Sequence, residues 1–127
     1  MTYYDRMGGA PGIRRFTQRF YTLMDTIPEA AACRAVHPPN LANAEQRLFE
    51  YLSGWLGGPP LYIERHGAPM LRRRHKRALI GAEEVESWLI CFHRAWGEFV
   101  TDPILNRDIL PKIDQLAHHI QNRREMS

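Results

Sequence analysis

The sequence predicts an all-α domain. Apolar residues recur at steps of three and four nearly throughout, no alternating run is long enough for a strand, and glycines and prolines punctuate the periodic stretches. Read together, these patterns give about four substantial helices. With 127 residues, 44% of them hydrophobic, the chain suits one domain spanning 1–127, its core about 4–122 and its tail from Arg123 to Ser127 frayed.

Pro11 reads as a first-turn proline, after which Ile13, Phe16, Phe20, Leu23 and Met24 form one stripe with Tyr21 beside it. Pro28 opens a short helical stretch that ends before Val36-His37-Pro38-Pro39, where the residues preceding each proline are pushed into an extended corner. Ala44, Leu48, Tyr51, Leu52 and Trp55 lie on one face of the next helix, which Gly57-Gly58-Pro59-Pro60 stops. Leu61 to Pro69 reads as loop, and Met70 to Arg74 as a short basic turn leading into His75. Gly81 introduces the longest stripe, Val85, Trp88, Leu89, Phe92, Ala95, Trp96 and Phe99. Asp102-Pro103 is a cap and first-turn signal for a last helix carrying Ile104, Ile109, Ile113, Leu116, Ala117 and Ile120, kinked or restarted at Pro111.

Several classes are excluded by composition. Two cysteines cannot build a disulfide framework, and no apolar run approaches the roughly 18 residues of a membrane span. The opening Met-Thr-Tyr-Tyr-Asp-Arg lacks the basic-then-apolar order of a signal peptide, which points to the cytoplasm. The net charge of +3 is modest, but Arg72, Arg73, Arg74, Lys76 and Arg77 crowd around His75. Such a cluster suits nucleic acid, an anionic surface or the acid groups of a cofactor.

His75 stands between a Gly67/Pro69 loop and the Gly81 helix start, where an imidazole is either a metal ligand or an exposed member of a basic patch. Cys33 and His37 do not make covalent haem attachment, which needs Cys-x-x-Cys-His. Cys91 reads as a small buried residue, and His118 and His119 face different directions. Glu83, Glu84 and Glu86 complement a helix dipole. No nucleophile elbow, phosphate loop or dinucleotide fingerprint is present.

Five segments, in order, resemble the group II truncated haemoglobins: Tyr4-Asp5-Arg6-Met7-Gly8-Gly9, Arg19-Phe20-Tyr21, Gly57-Gly58-Pro59, Leu71-Arg72-Arg73-Arg74-His75, and Ile80-Gly81 with Trp88-Leu89-Ile90-Cys91-Phe92. The likeness covers residues 4 to 122. It implies a two-over-two helical sandwich around one noncovalent haem b, with residues 11–25 and 43–55 as one pair and 82–100 and 103–122 as the other. By resemblance His75 is the proximal iron ligand, Tyr21, His37 and Trp88 are the distal polar groups, and Ala44 and Leu48 occupy distal helix positions. Arg47, Tyr62 and Arg74 are the candidates for the propionates, and Tyr51, Leu52, Ile80 and Phe92 for further haem contacts. The chain departs from the usual pattern at Ala68, where many relatives carry histidine, and at the basic pair Lys76-Arg77.

The implied function is tight binding of oxygen, carbon monoxide and nitric oxide. Each aligned donor contributes on the order of 1 kcal/mol, so three give slow oxygen release. Two other readings stand beside it. One is a nitric oxide dioxygenase or peroxidase-like enzyme fed by an external reductase. The other is a basic helical nucleic-acid module, whose affinity would fall steeply with salt but which leaves the aromatic residues unexplained. The expected partners are diatomic gases, with no nucleic acid and no membrane, and the expected state is a monomer or weak homodimer.

Overall fold

The computed structural model describes residues 1–68 and 80–120. His75 and Arg74, with the turn from Met70, lie outside the described residues, as does the tail. Seven α-helices are present among the described residues: α1 (Tyr3–Arg6), α2 (Gly9–Thr26), α3 (Ala31–Ala35), α4 (Ala42–Trp55), α5 (Leu61–His66), α6 (Ala82–Phe99) and α7 (Pro103–Ile120), with a 3-10 turn at Pro28–Ala30. None of them is long and apolar enough to cross a membrane.

The four long helices follow the predicted stripes. In α2 the residues Ile13, Phe16, Phe20, Leu23 and Met24 are buried, and Tyr21 is buried with them. α2 packs on α4 and across α6, and α6 packs on α7, which gives the two-over-two sandwich. An aromatic cluster sits where α2 meets α6. Phe16 meets Phe92 edge-on at 4.8 Å between centroids, and Phe20 meets Trp88 at 5.2 Å. The approach of α1 to α2 needs Gly12, because a Cβ there would stand 1.8 Å from the Met7 carbonyl oxygen.

Two short helices depart from the sequence reading. α1 starts with a capping box in which the Asp5 amide donates to the Thr2 hydroxyl and the Thr2 amide donates to the Asp5 carboxylate. α5 occupies residues read as loop. It buries only Tyr62, leaves Ile63 56% exposed, and ends at Gly67 with φ of 79°. One inward residue per turn leaves no stripe to detect, and tertiary contacts hold the helix instead. The buried carboxylate of Glu50 on α4 meets His66 Nε2 at 3.0 Å and Arg65 at 2.9 Å, pinning α5 to α4.

α7 runs continuously through Pro111. Pro111 and Arg107, the residue whose carbonyl an amide at position 111 would otherwise meet, are both exposed, while Leu105, Ile109, Ile113 and Ala117 stay on the buried face. Asp102 caps this helix by accepting the Ile104 amide at 2.9 Å, and its other oxygen takes Arg6 at 2.7 Å. Phe99, counted in the α6 stripe, is 46% exposed at the helix end.

Candidate functional site: a cavity between the helix pairs

A cavity of about 340 Å³ opens between α2, α4, α6 and α7. That is roughly eleven times the ~30 Å³ share of a water molecule, far more than a small gas needs and within the size range of organic ligand pockets. Its wall holds Tyr21, His37, Ala44, Arg47, Leu48, Tyr51, Leu52, Tyr62, Ile80 and Trp88, so these site candidates come together.

Phe92 does not belong there. It is fully buried and lies in the aromatic cluster, stacked between Trp88 at 5.3 Å and Trp96 at 5.6 Å. The expected haem contact is corrected to a core position: one step further along α6 than Trp88, its ring turns toward α2. Conversely, the wall includes Cys33, Val36, Glu84 and Val85, and from α7 Ile113, Leu116, Ala117 and Ile120. The α7 residues were already visible as an apolar stripe. That the stripe lines a cavity rather than filling a core depends on the packing of the other helices.

Each polar group is held by local structure. Tyr21 is carried on the buried side of α2, edge-on to Phe20 at 4.8 Å, and burial pushes its phenol above the ordinary value of 10.0. Trp88 is half-buried, packed on Phe20 and Phe92. His37 sits in the non-helical corner that its prolines dictate, and its ring meets Tyr21 edge-on at 6.1 Å. Arg34 fastens that corner, donating to the Pro38 carbonyl at 2.9 Å, the Pro39 carbonyl at 2.8 Å and Asp25 at 2.8 Å. The His37 Nδ1 lies 2.8 Å from the Cys33 carbonyl oxygen.

Cys33 joins α3 to α6 through its amide, which donates to the Ser87 hydroxyl at 2.9 Å, while that hydroxyl donates to the Glu84 carbonyl at 3.1 Å. Burial pushes the Cys33 thiol up to about 12, so it stays protonated. At the far side of the cavity Tyr51 meets Tyr62 edge-on at 5.9 Å, and burial raises the Tyr51 phenol. Arg47 is the exposed cation beside them. The arrangement joins an apolar slot to a cluster of donors on one wall and a cationic rim on another. It suits a flat, mostly apolar molecule bearing acid groups, with space for a small polar ligand near Tyr21 and Trp88.

Comparison with known proteins agrees with this geometry. The family model for bacterial-like globins matches residues 2–122. A Bacillus subtilis (strain 168) protein named group 2 truncated hemoglobin YjbI is 32% identical over 107 residues, covering 81% of each chain. Among solved structures, the group II 2-on-2 hemoglobin of Agrobacterium tumefaciens is 50% identical, with a TM-score of 0.95 over 98% of this chain and 96% of that one. The cold-adapted truncated hemoglobin of Pseudoalteromonas haloplanktis TAC125 is 36% identical, with a TM-score of 0.93 over 97% and 99%. With the family model, a curated relative and solved structures all in agreement over most of its length, the chain belongs to the bacterial-like globins and, among them, to the group II truncated haemoglobins, haem proteins that bind gases.

Proposed function

We propose that the protein holds one noncovalent haem b and binds oxygen, carbon monoxide and nitric oxide tightly, with slow oxygen release. The observation that carries this reading is the placing of Tyr21 and Trp88, two hydrogen-bond donors, on the wall of an otherwise largely apolar cavity. The wall residues fit the cofactor. Leu48, Leu52, Ile80, Val85, Ile113, Leu116 and Ile120 offer aliphatic surface to a macrocycle, and Arg47 and Tyr62 offer partners for its propionates. His75, the family's proximal ligand by resemblance, is the iron ligand in this reading. The haem supplies the iron to which a gas binds. The chain supplies exclusion of water by the aliphatic wall and donors for the partial negative charge that the gas acquires.

Ala44 is small, so stabilisation of the gas falls to Tyr21 and Trp88 rather than to a side chain from that position of α4. Oxidation of nitric oxide or reduction of peroxide at the same cavity needs an electron donor from outside the chain. Single-turnover mixing with nitric oxide, followed by recycling with a cellular reductant, separates catalysis from binding: recycling supports an enzyme, and its failure leaves a binder. For the main reading the test is His75→Ala. The variant should fold yet lose normal haem retention and the carbon monoxide spectrum, and unchanged retention would overturn the assignment.

A further inference from the structure

Two ties hold the corner that carries His37. The outer one runs through Arg34, which is bound to the Pro38 and Pro39 carbonyls and to Asp25 on α2. The inner one runs through Ser87 on α6. α3 has no side-chain cap from its own Ala30, and the amides of a helix's first turn find no acceptor within that helix. The amide of Cys33, the third residue of α3, donates across to the Ser87 hydroxyl at 2.9 Å. That hydroxyl has one hydrogen, which it gives to the Glu84 carbonyl at 3.1 Å, so a lone pair is left facing the Cys33 amide. Ser87 is 3% exposed and Cys33 2%, so the bond is shielded from solvent. The Arg34–Asp25 pair is not, since its carboxylate is 59% exposed.

Ser87 does not line the cavity, yet the residues on either side of it do. Glu84 and Trp88 reach the wall from α6, and Cys33, Val36 and His37 reach it from across the bond. The Cys33 carbonyl accepts the Val36 amide at 3.2 Å and meets His37 Nδ1 at 2.8 Å, and the His37 ring meets Tyr21 edge-on at 6.1 Å. We propose that Ser87 is a positioning residue of the cavity: its hydroxyl ties α3 to α6 and thereby fixes the His37 corner relative to Tyr21 and Trp88. The proposal rests on the gas-binding reading and names a residue that acts on the gas without reaching it. Without the hydroxyl, the buried Cys33 amide loses its acceptor, and α3 must shift to find another. The wall then takes several arrangements in place of one, and donors aimed for one arrangement hold a gas less well.

Ser87→Ala tests this at two levels. In the full chain the Cys33 amide should exchange its hydrogen about fivefold faster than in the wild type, the equivalent of one lost hydrogen bond, and unchanged exchange overturns the tie. In the ferrous carbonyl form the infrared C–O stretch, which reports the polar groups around the bound gas, should broaden or split. Oxygen release should quicken about two- to fivefold, no more than on removal of a direct donor. Ser87→Cys keeps the volume but offers only a weak acceptor, so it should behave like Ser87→Ala, and wild-type behaviour in it overturns the proposal. Ile109→Val, a buried change on α7 away from the wall, should lower the melting temperature and leave the C–O band and the release rate as they were. The same band change in Ile109→Val would make the effect one of stability and overturn the proposal. A full chain that takes up no haem removes the gas-binding reading and the role of Ser87 with it, whereas an unaltered band and release rate in haem-loaded Ser87→Ala overturn that role alone.

Discussion

Trp88 and Phe92 stack on α6 with their ring centroids 5.3 Å apart and their planes 24° from parallel. One turn of helix thus places a cavity donor directly against a core ring, and Phe92 extends the stack to Trp96 at 5.6 Å. The indole that faces the cavity is therefore oriented by residues that never reach it, and that relationship makes Phe92 a positioning residue for Trp88.

Phe92→Ala should cost about 3–5 kcal/mol of stability, as deletion of a buried phenylalanine does. The milder Phe92→Leu should keep the fold yet speed oxygen release by loosening Trp88. Urea unfolding and stopped-flow oxygen dissociation check the two effects, and a Phe92→Leu variant with unchanged release would show that Trp88 is oriented by other contacts.

Tyr21→Phe removes one donor and should speed oxygen release about fivefold, the equivalent of ~1 kcal/mol. Burial raises the phenol above its ordinary 10.0, so the wild-type rate should show no Tyr21 deprotonation as pH approaches 10. The sign for stability follows from the same shift. Tyr21 contributes stability fully below 10.0 that is lost as pH rises further, because the unfolded chain releases a proton that the folded chain retains.

The Glu50–His66 contact should matter for the whole α5 segment. Burial alone would raise the Glu50 carboxyl, but His66, Gln46 and Arg65 outweigh it and hold the carboxyl below its ordinary 4.5. Its contribution is therefore present above 4.5 and lost as pH falls through the lowered folded value. His66→Ala should cost about 1–3 kcal/mol at neutral pH, since the buried Glu50 carboxylate loses its 3.0 Å partner and keeps only Gln46 and Arg65. Urea titrations at neutral and acid pH should find the variant's deficit shrinking as Glu50 protonates.

Two glycines separate packing from helix propensity. Gly12→Ala would place a methyl 1.8 Å from the Met7 carbonyl oxygen, a backbone atom that cannot turn aside, and should destabilise by at least about 1–3 kcal/mol. At Gly97, in α6, nothing lies within 4 Å of an added Cβ, so Gly97→Ala should stabilise by up to about 1 kcal/mol. Thermal melts of the two variants should move in opposite directions.

The four long helices were legible because each buries a stripe of period 3.6, from Ile13–Met24 to Leu105–Ala117. α5 was not, since Tyr62 is its one buried residue and Glu50, from a different helix, holds it in place. In the site, spacing alone could not choose between an exposed and a liganding His75, and the family resemblance made that choice. Phe92 was misplaced because neighbouring positions of one stripe divide between core and cavity only when α2 docks. In sequence Cys33 stands out only as failing the spacing for haem attachment and Glu84 as a dipole-compensating acid, and only packing brings them to the same wall.

The most direct test is a haem titration of the purified full chain followed by reduction and exposure to carbon monoxide. Saturation at one haem per chain, with a visible spectrum that shifts on adding the gas, is the result expected of a cavity built around Tyr21, Trp88 and a His75-held iron. Haem uptake without a defined stoichiometry, or a reduced spectrum indifferent to carbon monoxide, would contradict it.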